Sequence, residues 1–172
     1  MSQFGSHKFL SAEEDRYLQW TITHYKNKNT LMLHLLRKYG MRAGELVRIR
    51  KKDLHPENKT IFIKALKGGK DREFPLSPED FENLMEIAKQ LPSDEMMLFP
   101  ITTNWLRRIW YQYRLGKKPL HALRHTAAIH IYKQTKDIQM VKQILGHRSL
   151  MTTLIYQEFC YQQEEFKKVF LG

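Results

Sequence analysis

A phenol follows an imidazole at a spacing of nine residues where Leu145-Gly146-His147 leads through Thr152-Thr153-Leu154-Ile155 to Tyr156. Upstream, His121-Ala122-Leu123-Arg124-His125 sets His121 and Arg124 three apart, on one face of a helix. Earlier still, Arg42 stands in Tyr39-Gly40-Met41-Arg42-Ala43-Gly44-Glu45-Leu46, where a chain turn enters a helix. Such residue types can work at phosphorus: a guanidinium offers a planar fork of donors to non-bridging oxygens, an imidazole moves a proton, and a phenol attacks once its proton leaves. Taken singly, each has an ordinary structural explanation. An arginine at a helix start pairs with an acid one turn on, here Glu45. A histidine after a glycine caps a helix end, and a tyrosine closing an apolar run packs in the core with its hydroxyl at the surface. Lys67 beside Gly68-Gly69 is, on the same footing, a solvated hairpin tip.

The elements that must position these residues are legible from periodicity and punctuation. Ser11 ahead of Glu13 and Glu14 caps a first helix ending near Lys26, and the run from Thr30 is apolar nearly all round, a core helix stopped at Gly40. A third helix is predicted from Ala43 to about Lys51. The period then changes. Thr60 to Ala65 reads as a strand, Gly68-Gly69 as a turn, and Arg72 to Leu76 as the returning strand, with Asp53-Leu54-His55 completing a three-stranded antiparallel sheet. Pro75 lacks a ladder donor and belongs at an edge or strand end. Ser77-Pro78-Glu79 opens a helix to about Gln90, and further helices are predicted at 102–114, 120–133, 137–145, 149–156 and about 160–170. The fold class expected is a mainly helical α+β domain with one small sheet, a single unit over 1–172 with a flexible stretch at 1–8.

Composition narrows the partner. Lysine and arginine number 29 against 18 acidic residues, a formal charge of +11, which suits a polyanion such as nucleic acid. A single cysteine, Cys160, leaves no internal disulfide and no thiolate zinc site, so the expectation is a reducing, cytoplasmic setting with no metal and no cofactor. No basic-then-apolar leader and no run of about 20 apolar residues is present, so neither export nor membrane insertion is expected.

Four blocks in order, 39–46, Lys67-Gly68-Gly69-Lys70-Asp71-Arg72-Glu73-Phe74-Pro75-Leu76, His121 to Ala128, and Leu145 through Tyr156, resemble the catalytic domain of the tyrosine recombinases, the phage integrase family, Xer-type and lambda-type enzymes among them. The resemblance runs from about Phe9 to Tyr156. It implies the family fold and an active-site set of Arg42, Lys67, His121, Arg124, His147 and Tyr156, with Lys64 and Lys70 as alternatives to Lys67 and with Glu45 as a supporting acid. Met41, Ala43-Gly44 and Gln157-Glu158 depart from the family's usual residues without removing a reacting group. No counterpart is expected here for the separate helical domain that most members carry ahead of the catalytic one, so the chain is expected to be either a fragment or one of the short, catalytic-domain-only members.

The implied reaction is site-specific cleavage and rejoining of double-stranded DNA through a 3′-phosphotyrosine on Tyr156, without ATP or metal. The two arginines and His147 would hold the phosphate, Lys67 would protonate the leaving 5′-oxygen, and His121 or a neighbouring group would help the tyrosine lose its proton. A type IB topoisomerase-like relaxing activity and a non-catalytic DNA-binding regulator of the same fold are the alternatives. By the same resemblance the protein is a monomer when free and a homo-tetramer on DNA, and the C-terminal helix at 158–172, with Phe159, Phe166, Val169 and Phe170 near one face, docks on a neighbouring protomer or else covers its own core.

Overall fold

The computed structural model describes residues 5–66 and 68–171; Lys67 lies outside the described residues. Eight helices and three strands follow in the order α1 (Ala12–His24), α2 (Lys28–Tyr39), α3 (Ala43–Leu46), β1 (Leu54–His55), β2 (Thr60–Ile63), β3 (Arg72–Pro75), α4 (Pro78–Lys89), α5 (Thr103–Tyr113), α6 (Ala122–Thr135), α7 (Ile138–Leu145) and α8 (Met151–Leu171). The expected class, mainly helical with a small antiparallel sheet, is the one observed. Of the stretch expected to be flexible, 1–4 lies outside the described residues, while Ser6–Lys8 forms a 3-10 turn and Lys118 donates to the carbonyls of Ser6 and Phe9.

Two helices form the centre. In α2, Met32, Leu33, Leu35, Leu36 and Tyr39 are buried, as the apolar run requires. The Asn27 side chain caps its first turn, and Gly40 ends it at φ 62°, where a Cβ would be strained. The helix α6 is buried on nearly every side, from Ala122 to Tyr132, and packs on α2, α7 and α8. An arginine in its first turn, Arg124, is thereby carried into the interior.

The sheet has the order β1-β2-β3, with Leu54 opposite Ile61 and Ile61 opposite Phe74. Ile61 and Ile63 of β2 and Phe74 of β3 point into the core, and the alternation that turns Phe74 inward turns Arg72 inward as well. Pro75 closes the edge strand, opposite Thr60.

Two expectations need correction. The third helix stops at Leu46 because the chain beyond it pairs elsewhere: Leu98 N–H bonds the Ile49 carbonyl, Lys51 and Lys52 N–H bond the carbonyls of Met96 and Asp94, and Lys51–Asp53 becomes a 3-10 turn. The break expected between 156 and 160 does not occur. Nothing from Tyr156 to Cys160 disfavours helix, and α8 runs unbroken for 21 residues. Its first half packs over α6 and α7 through Tyr156 and Cys160, and Phe159 meets the Phe9 ring edge-on at 5.0 Å. Its second half is exposed, with Phe166, Val169, Phe170 and Leu171 in solvent. Among the described residues no helix is long and apolar enough to cross a membrane.

One buried acid ties α2 to α4. Asp80 accepts from Lys38 at 2.6 Å, Tyr39 at 2.7 Å and Ser77 at 2.7 Å, and His34 Nε2 lies at 2.8 Å. Burial alone would raise its pKa, but the donors of His34, Lys38, Ser77 and Tyr39 outweigh it and hold the carboxyl well below the usual range. A carboxyl whose pKa is depressed on folding stabilises the fold above its unfolded value of about 4 and ceases to do so as pH falls. Asp80→Asn should therefore cost about 2–4 kcal/mol at pH 7. In thermal melts the gap from the parent protein should narrow between about pH 5 and pH 3; a gap independent of pH would assign the stability to something other than the carboxylate.

Candidate active site

The arginines are held before any ligand arrives. Arg124 donates from Nη1 to the Gly40 carbonyl at 2.5 Å and from Nη2 to the Leu145 carbonyl at 2.7 Å, so it bridges the C-terminal ends of α2 and α7, where unsatisfied carbonyls favour a cation. Burial, and then the charges of Arg42 and Arg72, lower its pKa to about 10, which leaves it cationic at neutral pH. Two of its five N–H groups are used in these bonds, and the fork keeps donors in reserve.

Arg42 is the residue before α3, and its own backbone N–H bonds Glu45 Oε2 at 2.7 Å while its Nη1 bonds Oε1 at 3.1 Å. The Glu45 side chain is fully buried, the Arg42 side chain 30% exposed. The same carboxylate takes a bidentate pair from Arg72, at 2.7 Å and 3.1 Å. Burial would raise the Glu45 pKa, but the bonds and charge of Arg72, with Arg42 and Arg124, lower it instead. Three guanidiniums thus gather around one carboxylate, an excess of positive charge that an incoming anion would neutralise.

His147 is buried on the turn after α7. Gly146 takes φ 66°, and His147 Nδ1 lies 3.0 Å from Thr153 Oγ1, one turn before Tyr156 on α8. Burial and the charges of Arg124, Arg42 and Arg72 lower its pKa to about 4, so it is a neutral hydrogen-bonding group. The β2–β3 hairpin is docked on this turn. Gly69 bridges His147, Lys70 N–H bonds the Gly146 carbonyl at 3.0 Å, and Arg148 Nε bonds the Gly69 carbonyl at 3.2 Å. Lys64 and Lys70, the alternatives to Lys67, are both exposed on that hairpin.

Tyr156 is 2% exposed, and its hydroxyl lies 2.9 Å from His125 Nδ1. Burial pushes its pKa up to about 12, opposed by Arg124 and Arg42, in whose field the hydroxyl sits. His121 stands at the surface with its ring edge-on to that of His125, centroids 4.6 Å apart, and its pKa is lowered by desolvation and by Arg124 and Arg42. Arg42, His121, Arg124, His147 and Tyr156, distant in sequence, therefore share one electrostatic neighbourhood.

Two residues of this neighbourhood were not singled out from sequence, Arg72 and His125. Arg72 had a signal, a charge at a strand position whose alternation partner Phe74 is apolar. His125 had one too, standing four after His121 on the same helix face.

The family model described as phage integrase family matches residues 9–163. The chain belongs to that family. It is 30% identical over 161 residues to the tyrosine recombinase XerA of Pyrococcus furiosus, an alignment that covers 87% of this chain and 56% of that relative. It resembles the structure of the XerH site-specific recombinase bound to palindromic difH substrate in a post-cleavage complex, with TM-score 0.73 and 28% identity over 95% of this chain and 53% of that one. The catalytic domain of bacteriophage HP1 integrase gives TM-score 0.66 and 25% identity over 94% of both chains. The chain spans about half the length of the curated relatives it matches.

The turn between α7 and α8 is tightly packed against the hairpin. A Cβ on Gly146 would lie 2.8 Å from the Lys70 carbonyl and 2.9 Å from Arg72 Nη1, at a φ that L residues rarely adopt. Gly146→Ala should cost about 1–3 kcal/mol. It should also release the hairpin, with faster hydrogen exchange at the Lys70 amide while α4 amides keep their protection. An unchanged Lys70 amide would mean that the hairpin is held by other contacts.

Proposed function

We propose that this chain cleaves and rejoins double-stranded DNA at specific sites, as a recombinase acting in the cytoplasm, through a 3′-phosphotyrosine on Tyr156. The observation that carries this reading is the convergence of two pre-held guanidiniums, Arg42 and Arg124, on the neighbourhood of one tyrosine hydroxyl. In that scheme the arginines bind the non-bridging oxygens of the scissile phosphate and neutralise the charge that grows in the pentacoordinate transition state. His147, neutral and anchored to Thr153, adds a donor. Tyr156 Oη attacks phosphorus and the 5′-oxygen leaves with a proton, which the family resemblance assigns to Lys67. One phosphoester replaces another, so the energy for rejoining is retained. Further support for a DNA partner comes from the charge of +11, and from α5, which packs on α3 and exposes Asn104, Arg107 and Arg108.

The assembly we propose is a homo-tetramer on DNA built from free monomers. The support is the second half of α8, whose Phe166, Val169 and Phe170 are exposed on their own protomer, in contrast to Tyr156 and Cys160. A helix end with unsatisfied apolar surface suits docking on a neighbour in a closed ring.

Two experiments test these readings. After incubation with a library of nicked duplexes, trapped covalent adducts should appear with the parent protein and be absent with Tyr156→Phe, whose stability should change by no more than about 1 kcal/mol. Undiminished adduct from the variant would refute Tyr156 as the nucleophile. A chain truncated after Tyr161 should keep its melting temperature and its cleavage of single strands but lose paired strand exchange; normal recombinant yield, or a lowered melting temperature, would refute docking in trans.

A further inference from the structure

The phosphotyrosine scheme leaves open where the tyrosine proton goes. A phenol held neutral in a buried site cannot attack without losing it, and general-base help is worth roughly 10²–10⁴ in rate. His125 Nδ1 is 2.9 Å from the Tyr156 hydroxyl, within direct transfer distance. The phenol is a stronger acid than a neutral imidazole N–H, so Tyr156 is the donor and His125 the acceptor, with the imidazole proton on Nε2.

We infer, resting on the reading of Tyr156 as nucleophile, that His125 Nδ1 takes the Tyr156 proton as the phenol oxygen attacks, and that the scissile phosphate is what enables the transfer. Among the groups facing His125 are His121 and Arg124 on its own helix, Lys8 from the N-terminal turn, His147 from the turn after α7, and Tyr156 on α8. Burial comes first, and then the charges of His121, Arg124, Lys8 and His147, Arg124 and Lys8 the fixed cations among them, in holding the imidazole down at a pKa of about 3. In that state it accepts a hydrogen bond but will not keep a proton. A phosphodiester bound by Arg42 and Arg124 brings a negative charge to the cations that oppose protonation of His125, and an opposite charge within about 4–6 Å favours the charged form. The base is therefore weak while the site is empty and strengthens when substrate is in place. The balance is complete: the Tyr156 O–H bond breaks as the proton moves to Nδ1, the oxygen–phosphorus bond forms, the bond to the 5′-oxygen breaks, and that oxygen takes its proton from the general acid. In rejoining, His125 returns its proton to the departing phenolate.

The test separates a proton acceptor from a positioning group. Asparagine can set an oxygen where Nδ1 lies, keeping a hydrogen-bond acceptor that cannot take a proton. His125→Asn and His125→Ala should both slow single-turnover cleavage about 10²-fold or more, with DNA affinity unchanged. Replacing Tyr156 by 3,5-difluorotyrosine, a more acidic phenol, should restore most of the loss in His125→Asn and none of the loss in Arg124→Ala. Cleavage by His125→Asn at the parent rate, or no rescue by fluorination, overturns the inference while leaving the phosphotyrosine reading intact. Absence of adduct from the parent protein overturns both. Should the variants fail to fold, the parent protein decides: on binding vanadate with a nicked duplex, the His125 ring nitrogens should move to protonated ¹⁵N shifts, and unchanged neutral shifts would overturn the inference.

Discussion

The Glu45 carboxylate is the contact on which the rest of the site depends. Arg42, Arg72 and Arg124 would repel one another if brought together unaided, and removing their shared partner from the interior would cost about 3–5 kcal/mol. Glu45 binds Arg72 at both oxygens and Arg42 through backbone and side chain, so the start of α3 and the edge strand β3 are locked in one geometry. Arg72 then extends the lock, because its Nε reaches the Ile144 carbonyl at 2.8 Å while Arg124 takes the next one, Leu145. Two guanidiniums thus grip the end of α7, and the turn carrying His147 follows directly.

That arrangement has an electrostatic consequence beyond positioning. Fixed positive charge in a partly dry site disfavours any further cation, and the three histidines around it, His121, His125 and His147, all have lowered pKa values. The same field should favour a tyrosinate, yet burial dominates and Tyr156 is harder to ionise than a free phenol. The site is accordingly primed for an anion and poor at ionising Tyr156, whose buried hydroxyl sits beside that positive charge.

Much of this was legible in the sequence where local chemistry decides the outcome. Ser11 and Ser77 cap the helices they were expected to cap, Gly40 stops α2, and the hairpin and its partner strand pair in the expected order. What was hidden is tertiary. The segment after Leu46 is helix-compatible, and only the approach of 94–98 draws its backbone into pairing. Arg72 reads as an ordinary strand cation until the register turns it inward onto Glu45. The continuity of α8 across Tyr156 was missed because helical propensity there is neutral, and packing on α6 and α7 carries the helix through.

The ordinary reading of Tyr156, a core tyrosine, and the functional one turn out to be compatible. The ring fills space among Ala128, Val141, Leu145 and Cys160, which fixes α8 against α6 and α7. A buried hydroxyl must be paired, since an unpaired one costs about 1–3 kcal/mol, and His125 is within reach. The requirement that packs the tyrosine is thus the requirement that brings an imidazole to its oxygen. Because Thr153, which anchors His147, lies one turn earlier on the same helix, seating α8 sets Tyr156 beside His125 and Thr153 beside His147 in one step. The exposed end of that helix, with Phe166 and Phe170, is continuous with the buried start that carries Tyr156, so one element joins the interior to the surface.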